Sequence, residues 1–426
     1  MRFYRLQDNA VFCRMQALIK KTLHDEKHGG MSMEEAAREM EEMLPVLLTF
    51  GEEQAVPGNL WQLYLTLLLI QDVNAYTLSC ERREGVKGSV YQTVQQDLDE
   101  VFALYQYDFA PLSAQIRVPG FSEIEGFVPG AVHSSILSDE VRDNVRKLRD
   151  DLAKTEDALA FRACLERFYA QYGIGVFALY KGFRIDRDGG LLPIRETAPA
   201  SLDDLVGYEN VKRKLKENTD AFLEGRPANN VLLYGEAGTG KSTCIKALCN
   251  SDFREGLRVI EVFKGQYELL HTVIESVRGR HYRFLLFMDD LSFEEFETEY
   301  KFLKAVIEGG LEERPENVLI YATSNRKHLI RESFSDRDGL SVGDKHPGDT
   351  VQEKLSLSDR FGLSIYFESP AQEEYHTIVQ ELADRYGLRI RREELREMAT
   401  TWELRHGGPS GRVARQFIDD LRGKIG

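Results

Sequence analysis

Gly235-Glu236-Ala237-Gly238-Thr239-Gly240-Lys241-Ser242 fits the pattern G-x-x-x-x-G-K-[ST] at every position. The run Asn230-Val-Leu-Leu-Tyr234 in front of it reads as a buried strand, and Thr243-Cys-Ile-Lys-Ala-Leu-Cys249 behind it reads as a helix. Gly235, Gly238 and Gly240 let the backbone wrap so that successive N–H groups point inward, and the helix opening at Lys241 adds its positive end. Lys241 would reach the β- and γ-phosphates of a nucleotide, and the Ser242 hydroxyl would take one Mg2+ position. The expected cradle runs from Gly235 to Thr243. A glycine-rich turn that binds nothing is the bland alternative, and a full match between the required strand and helix argues against it.

Phosphoryl transfer asks a protein mainly for positioning and charge cancellation, so a carboxylate is needed beside the loop. Phe284-Leu-Leu-Phe-Met-Asp289-Asp290 supplies two at the end of an apolar run. Asp289 is assigned to Mg2+ and Asp290 to the attacking water, with Glu294 as a rival for the second role. Asn325 follows the strand-like run 317–323 and is placed to orient water, although it also suits a helix cap. Arg360 in Ser358-Asp-Arg-Phe-Gly362 and Arg412 in the segment 406–415 add cations, with Arg415 competing for the place of Arg412. Surface ion pairing is the plain reading of each arginine taken alone.

Away from the loop, residues 201–370 alternate short apolar runs with helical stretches. The runs 230–234, 258–263, 284–288, 317–323 and 363–367 predict five buried strands of a parallel α/β sheet. From Gln372 onward only helices are expected, a small helical lid over 371–426. Residues 1–186 read as a mainly α-helical domain, with apolar spacing through Met33, Ala36, Ala37, Met40, Met43 and Leu44. Gly189, Gly190, Pro193 and Pro199 mark residues 187–200 as the linker.

The chain of 426 residues carries 55 Lys and Arg against 70 Asp and Glu, a net charge of −15. Neither half is basic, so the global signature of a nucleic-acid binder is missing, though Arg278–Arg283 and Arg389–Arg392 remain local candidates. Five cysteines without C-x-x-C spacing argue against a disulfide framework or a zinc site. The longest apolar run, at 61–70, is far short of the ~20 residues a membrane helix needs. These features set the expectation of a cytoplasmic protein with no membrane partner.

Taken together, these stretches resemble the AAA+ ATPases. Ser201-Leu-Asp-Asp-Leu-Val-Gly207-Tyr-Glu209 is similar to the family's box upstream of the phosphate loop, which packs near the adenine. Gly235–Ser242 resembles Walker A, Phe284–Asp290 Walker B, Asn325 sensor 1, Arg360 the arginine finger and Arg412 sensor 2. The stretches around Asp289, Asn325 and Arg360 further resemble a bacterial AAA+ family of unassigned function with a helical N-terminal region. One departure is that Walker B usually ends Asp-Glu and here ends Asp289-Asp290.

The resemblance implies an oligomeric ATPase that binds and hydrolyses Mg-ATP between subunits. Its work would be to remodel or load a macromolecular partner, an unidentified protein or nucleic acid. The competing reading is an ATP-binding switch or adaptor with very slow turnover, whose partner or oligomeric state follows the nucleotide. A small-molecule kinase shares the phosphate loop, but the terminal helical lid and the Ser-Asp-Arg-Phe stretch point to AAA+ instead.

Overall fold

A computed structural model describes residues 3–22, 31–82, 88–293, 299–308, 315–327, 329 and 357–425. The chain divides into two compact units, which meet between Tyr180 and Lys181.

The first unit is helical. Its second long helix, Met33–Gln54, opens on a reciprocal cap in which Ser32 and Glu35 exchange side-chain and backbone hydrogen bonds. Ala36, Met40, Met43 and Leu44 are buried, so the methionine stripe is a core face. That helix runs through Pro45 and stops just before Pro57-Gly58, as the sequence suggests. Leu60–Gln71 is apolar on nearly every side and is packed on nearly every side, with Trp61 fully buried. Two further helices are Ser89–Tyr105 and Ala110–Ile116, the second with Pro111 in its first turn. Proline lacks the N–H that a first turn leaves unpaired in any case, so it opens a helix as readily as it ends one.

The second unit holds seven strands: β1 (Gly182–Ile185), β2 (Leu191–Ile194), β3 (Val231–Gly235), β4 (Leu257–Glu261), β5 (Arg283–Met288), β6 (Val318–Ser324) and β7 (Leu363–Phe367). Their order across the sheet is β2-β1-β4-β5-β6-β3-β7. Every pairing is parallel except that of β1 with β2. The last five strands are those expected, within a residue or two at their ends. Strands β5 and β6 are buried almost throughout, as strands covered by helices on both faces must be. Three helices, Gln372–Arg385, Arg392–Arg405 and Gly411–Ile425, follow as the lid. They close on their own core of Tyr375, Leu382, Leu395, Ala399, Phe417 and Ile418. This is the α/β P-loop NTPase fold with a C-terminal helical lid, preceded by a helical N-terminal region.

Strands β1 and β2 correct the sequence reading, which placed 182–185 in the helical domain and 187–200 in a linker. Phe183 and Ile185 are buried while Arg184 is exposed, a period of two over four residues that is too short to stand out from a helix end. The glycines taken for linker punctuation close the hairpin. Asp186 Oδ1 accepts the N–H groups of Asp188 (2.9 Å) and Gly190 (2.7 Å), and Gly189 takes a φ of +86°.

Candidate functional site

At the end of β3 the chain turns sharply at Gly235, whose φ is +137°. A Cβ there would lie 2.0 Å from the carbonyl oxygen of Phe367 on the neighbouring β7, so sheet packing and turn geometry both require glycine. Gly240, at φ +100°, precedes the helix Lys241–Ser251 and has no side chain to cap it. The first N–H groups of that helix therefore face the loop, an arrangement that attracts anions.

The Lys241 ammonium folds back over this loop, donating to the carbonyl oxygens of Gly235 (2.8 Å) and Glu236 (2.6 Å) and to Asn325 Oδ1 (3.3 Å). Burial lowers its pKa, and Arg412 adds to the lowering, while Asp290, Glu236 and Asp289 oppose it. A cation held this way gains from an incoming phosphate, which replaces carbonyl dipoles with full negative charge.

Asp289 and Asp290 stand exposed where β5 ends. Asp289 Oδ1 accepts hydrogen bonds from Ser242 Oγ at 2.5 Å and from Thr323 Oγ1 at 2.6 Å. Asp290 sits in the left-handed region at φ +53°, and its Oδ1 accepts from Asn325 Nδ2 at 2.9 Å. Asn325 thus links the lysine of the loop to the second carboxylate. Glu294, the rival to Asp290, lies outside the described residues.

These groups line one cavity of about 650 Å3, within the ~300–1,000 Å3 usual for small-molecule sites. Its lining combines Ala237 to Thr243, Asp289, Asp290 and Asn325 with Pro199, Leu205, Tyr208, Ile378 and Leu382. Arg412 and Arg415 both line it from the last lid helix, so the two candidates stand together. Arg360 is not among the lining residues; it pairs with Glu308 of its own chain. The donor set suits Mg2+: Ser242 Oγ and a carboxylate oxygen of Asp289 are hard ligands already in contact. No cluster of three or more His, Cys, Asp or Glu able to hold a metal occurs among the described residues. Mg2+ at nucleotide sites is bound mainly by one or two protein oxygens plus phosphates, so a small donor set fits.

Sequence reasoning missed Asn250. Its Nδ2 donates to the carbonyl oxygens of Ala198 (2.9 Å) and Ala200 (3.1 Å), and its Oδ1 accepts from Thr197 Oγ1 (2.9 Å). It therefore pins the strip 197–200 as a cavity wall, and an asparagine inside a helix gives no sign of such a role. Ile378 and Leu382, one turn apart on a lid helix, were legible only as core spacing.

A family model described as "Protein of unknown function (DUF815)" matches residues 178–425. The chain is 24% identical over 205 residues to the ATP-dependent zinc metalloprotease FtsH of Aquifex aeolicus, covering 45% of this chain and 31% of that protein. It is 35% identical over 66 residues to the replication factor C small subunit of Haloarcula marismortui, covering 15% of this chain and 19% of that one. Among solved structures, the Thermotoga maritima RuvB Holliday junction branch migration motor aligns at 21% identity and a TM-score of 0.36, over 53% of this chain and 65% of that chain. The chain thus spans about a third or less of the curated relatives it matches. No helix among the described residues is long and apolar enough to cross a membrane. With a family model covering more than half of its length, the chain belongs to the DUF815 family.

Proposed function

We propose that the protein binds Mg-ATP in this cavity and hydrolyses it between subunits of a homo-oligomer, using the energy to remodel or load a protein or nucleic-acid partner. The observation that carries the reading is the convergence, in one cavity, of the hydrogen-bonded series Lys241–Asn325–Asp290 and the pair Ser242–Asp289. In this reading the N–H groups of residues 235–243 and the Lys241 ammonium hold the phosphates. Ser242 and Asp289 would hold Mg2+, whose chemistry is to neutralise charge on the phosphate oxygens. Asp290 accepts the proton of the attacking water, and Asn325 orients both that water and the carboxylate. Arg412 reaches the phosphates from the lid, and Arg360 reaches them from a neighbouring subunit.

The location of Arg360 outside its own cavity supports a role in trans. A guanidinium delivered to the γ-phosphoryl oxygens is worth ~10³–10⁵ in rate in well-studied phosphoryl-transfer enzymes. Specific ATPase activity should therefore rise with protein concentration. Mixing Arg360→Ala with Lys241→Ala should recover activity that neither variant has alone, because the intact finger of one faces the intact loop of the other. Tight ATP binding with negligible turnover at every concentration would favour the nucleotide-switch reading instead.

A further inference from the structure

The sheet hands over three consecutive positions of β5's end to a single residue on its neighbour. Strands β5 and β6 run in register up to Met288 opposite Ala322. Beyond that point the backbone departs, and Thr323 makes all three contacts that follow. Its hydroxyl donates to Asp289 Oδ1 at 2.6 Å and accepts the N–H of Asp290 at 2.9 Å, while its carbonyl oxygen accepts the N–H of Leu291 at 2.7 Å. A hydroxyl has one proton to give and lone pairs to receive, so both side-chain bonds can be made at once. Only 2% of Thr323 is exposed, which keeps water from competing for them.

We propose that Thr323 is the positioning residue for both carboxylates, an inference that rests on the hydrolysis reading above. Through Asp289 it fixes the oxygen that Ser242 also contacts. Through the Asp290 N–H it holds a left-handed backbone, φ +53°, that an aspartate adopts only at some strain. Without that bond Asp290 relaxes toward ordinary backbone geometry, and its carboxylate leaves Asn325. Thr323 lines the cavity wall but is only 2% exposed, and its role is exerted through its neighbours. A plain strand-end cap would make the same hydrogen bonds, but its loss would lower stability without singling out the metal response.

Thr323→Val keeps the side-chain shape and removes the hydroxyl; Thr323→Ser keeps the hydroxyl. A fluorescent ATP analogue titrated with and without Mg2+, beside steady-state turnover, separates the two accounts. Thr323→Val should bind nucleotide like wild type without Mg2+, lose most of the affinity gained on adding Mg2+, and turn over about 10²-fold slower, the usual effect of misplacing a catalytic group by about 1 Å. Thr323→Ser should retain both properties within a few-fold. If the valine variant does not fold, Thr323→Ala takes its place under the same readouts. A wild-type Mg2+ response and turnover in the hydroxyl-free variant, or equal loss in Thr323→Ser, overturns the proposal alone. A wild-type protein with neither Mg2+ response nor turnover overturns the hydrolysis reading and this proposal together.

Discussion

The main-chain N–H of Arg412 donates to the carbonyl oxygen of Gly238 at 3.1 Å, so the last lid helix rests its first turn on the phosphate loop. A Cβ on Gly238 would lie 3.0 Å from the Arg412 Cβ and 3.2 Å from Ser410 Oγ, at a φ of +78°. Gly238→Ala should therefore push the lid away and weaken ATP binding by about tenfold, in line with the ~1–3 kcal/mol that over-packing costs. Gly256→Ala is the control, since Gly256 has φ +93° and nothing within 4 Å of its built Cβ. It should lower thermal stability and leave nucleotide affinity unchanged in the same fluorescence titration.

Asp290→Asn should bind ATP and fail to hydrolyse it, because the amide keeps the shape but accepts no proton. Asn325→Ala should slow turnover with a smaller change in binding, since the Asp290 carboxylate loses the donor 2.9 Å away. Single-turnover kinetics on radiolabelled ATP read both. Turnover that survives in Asp290→Asn and disappears in Glu294→Gln would assign the base to Glu294.

Arg360 and Glu308 form a partly exposed pair, with 23% and 40% of the side chains accessible. Such pairs contribute ~0–1 kcal/mol, so Arg360→Ala should shift the melting temperature by no more than a few degrees. Its ATPase activity should nonetheless fall by a factor of ~10³ or more if it is the finger. A large loss of stability with unchanged turnover would make it a structural ion-pair residue.

Burial raises the pKa of the Asp252 carboxyl above its ordinary value, although Ser251 and Lys216 pull the other way. The folded state then holds the proton more tightly than the unfolded state. The stability this group contributes is present below the ordinary carboxylate range and is lost as pH rises through the folded value. Asp252→Asn imitates the protonated form at all pH values. Its melting temperature relative to wild type should climb as pH rises above the ordinary carboxylate range, and a flat difference would contradict the burial argument.

How much of this is readable in the sequence depends on how local the physics is. The phosphate loop was legible because eight adjacent residues carry both its geometry and its chemistry. Five strands were legible because burial on both faces leaves unbroken apolar runs such as Phe284 to Met288. Strands β1 and β2 were not, since four residues hold too little alternation and the Gly189-Gly190 turn resembles a linker. Asn250 and Thr323 escaped for a different reason. Each acts through bonds to segments tens of residues away along the chain, and a polar side chain carries no mark of its distant partner.

Equilibrium binding of ATP to the wild-type chain and to Lys241→Ala, measured by isothermal titration calorimetry with Mg2+ present, tests the central claim most directly. Lys241 bridges the loop carbonyls and Asn325, and its removal takes away the mobile cation aimed at the phosphates. The expected result is saturable binding with one site per chain in wild type and none detectable in the variant. Equal affinity in the two proteins, or no binding by wild type, would contradict the assignment of residues 235–243 as a nucleotide cradle.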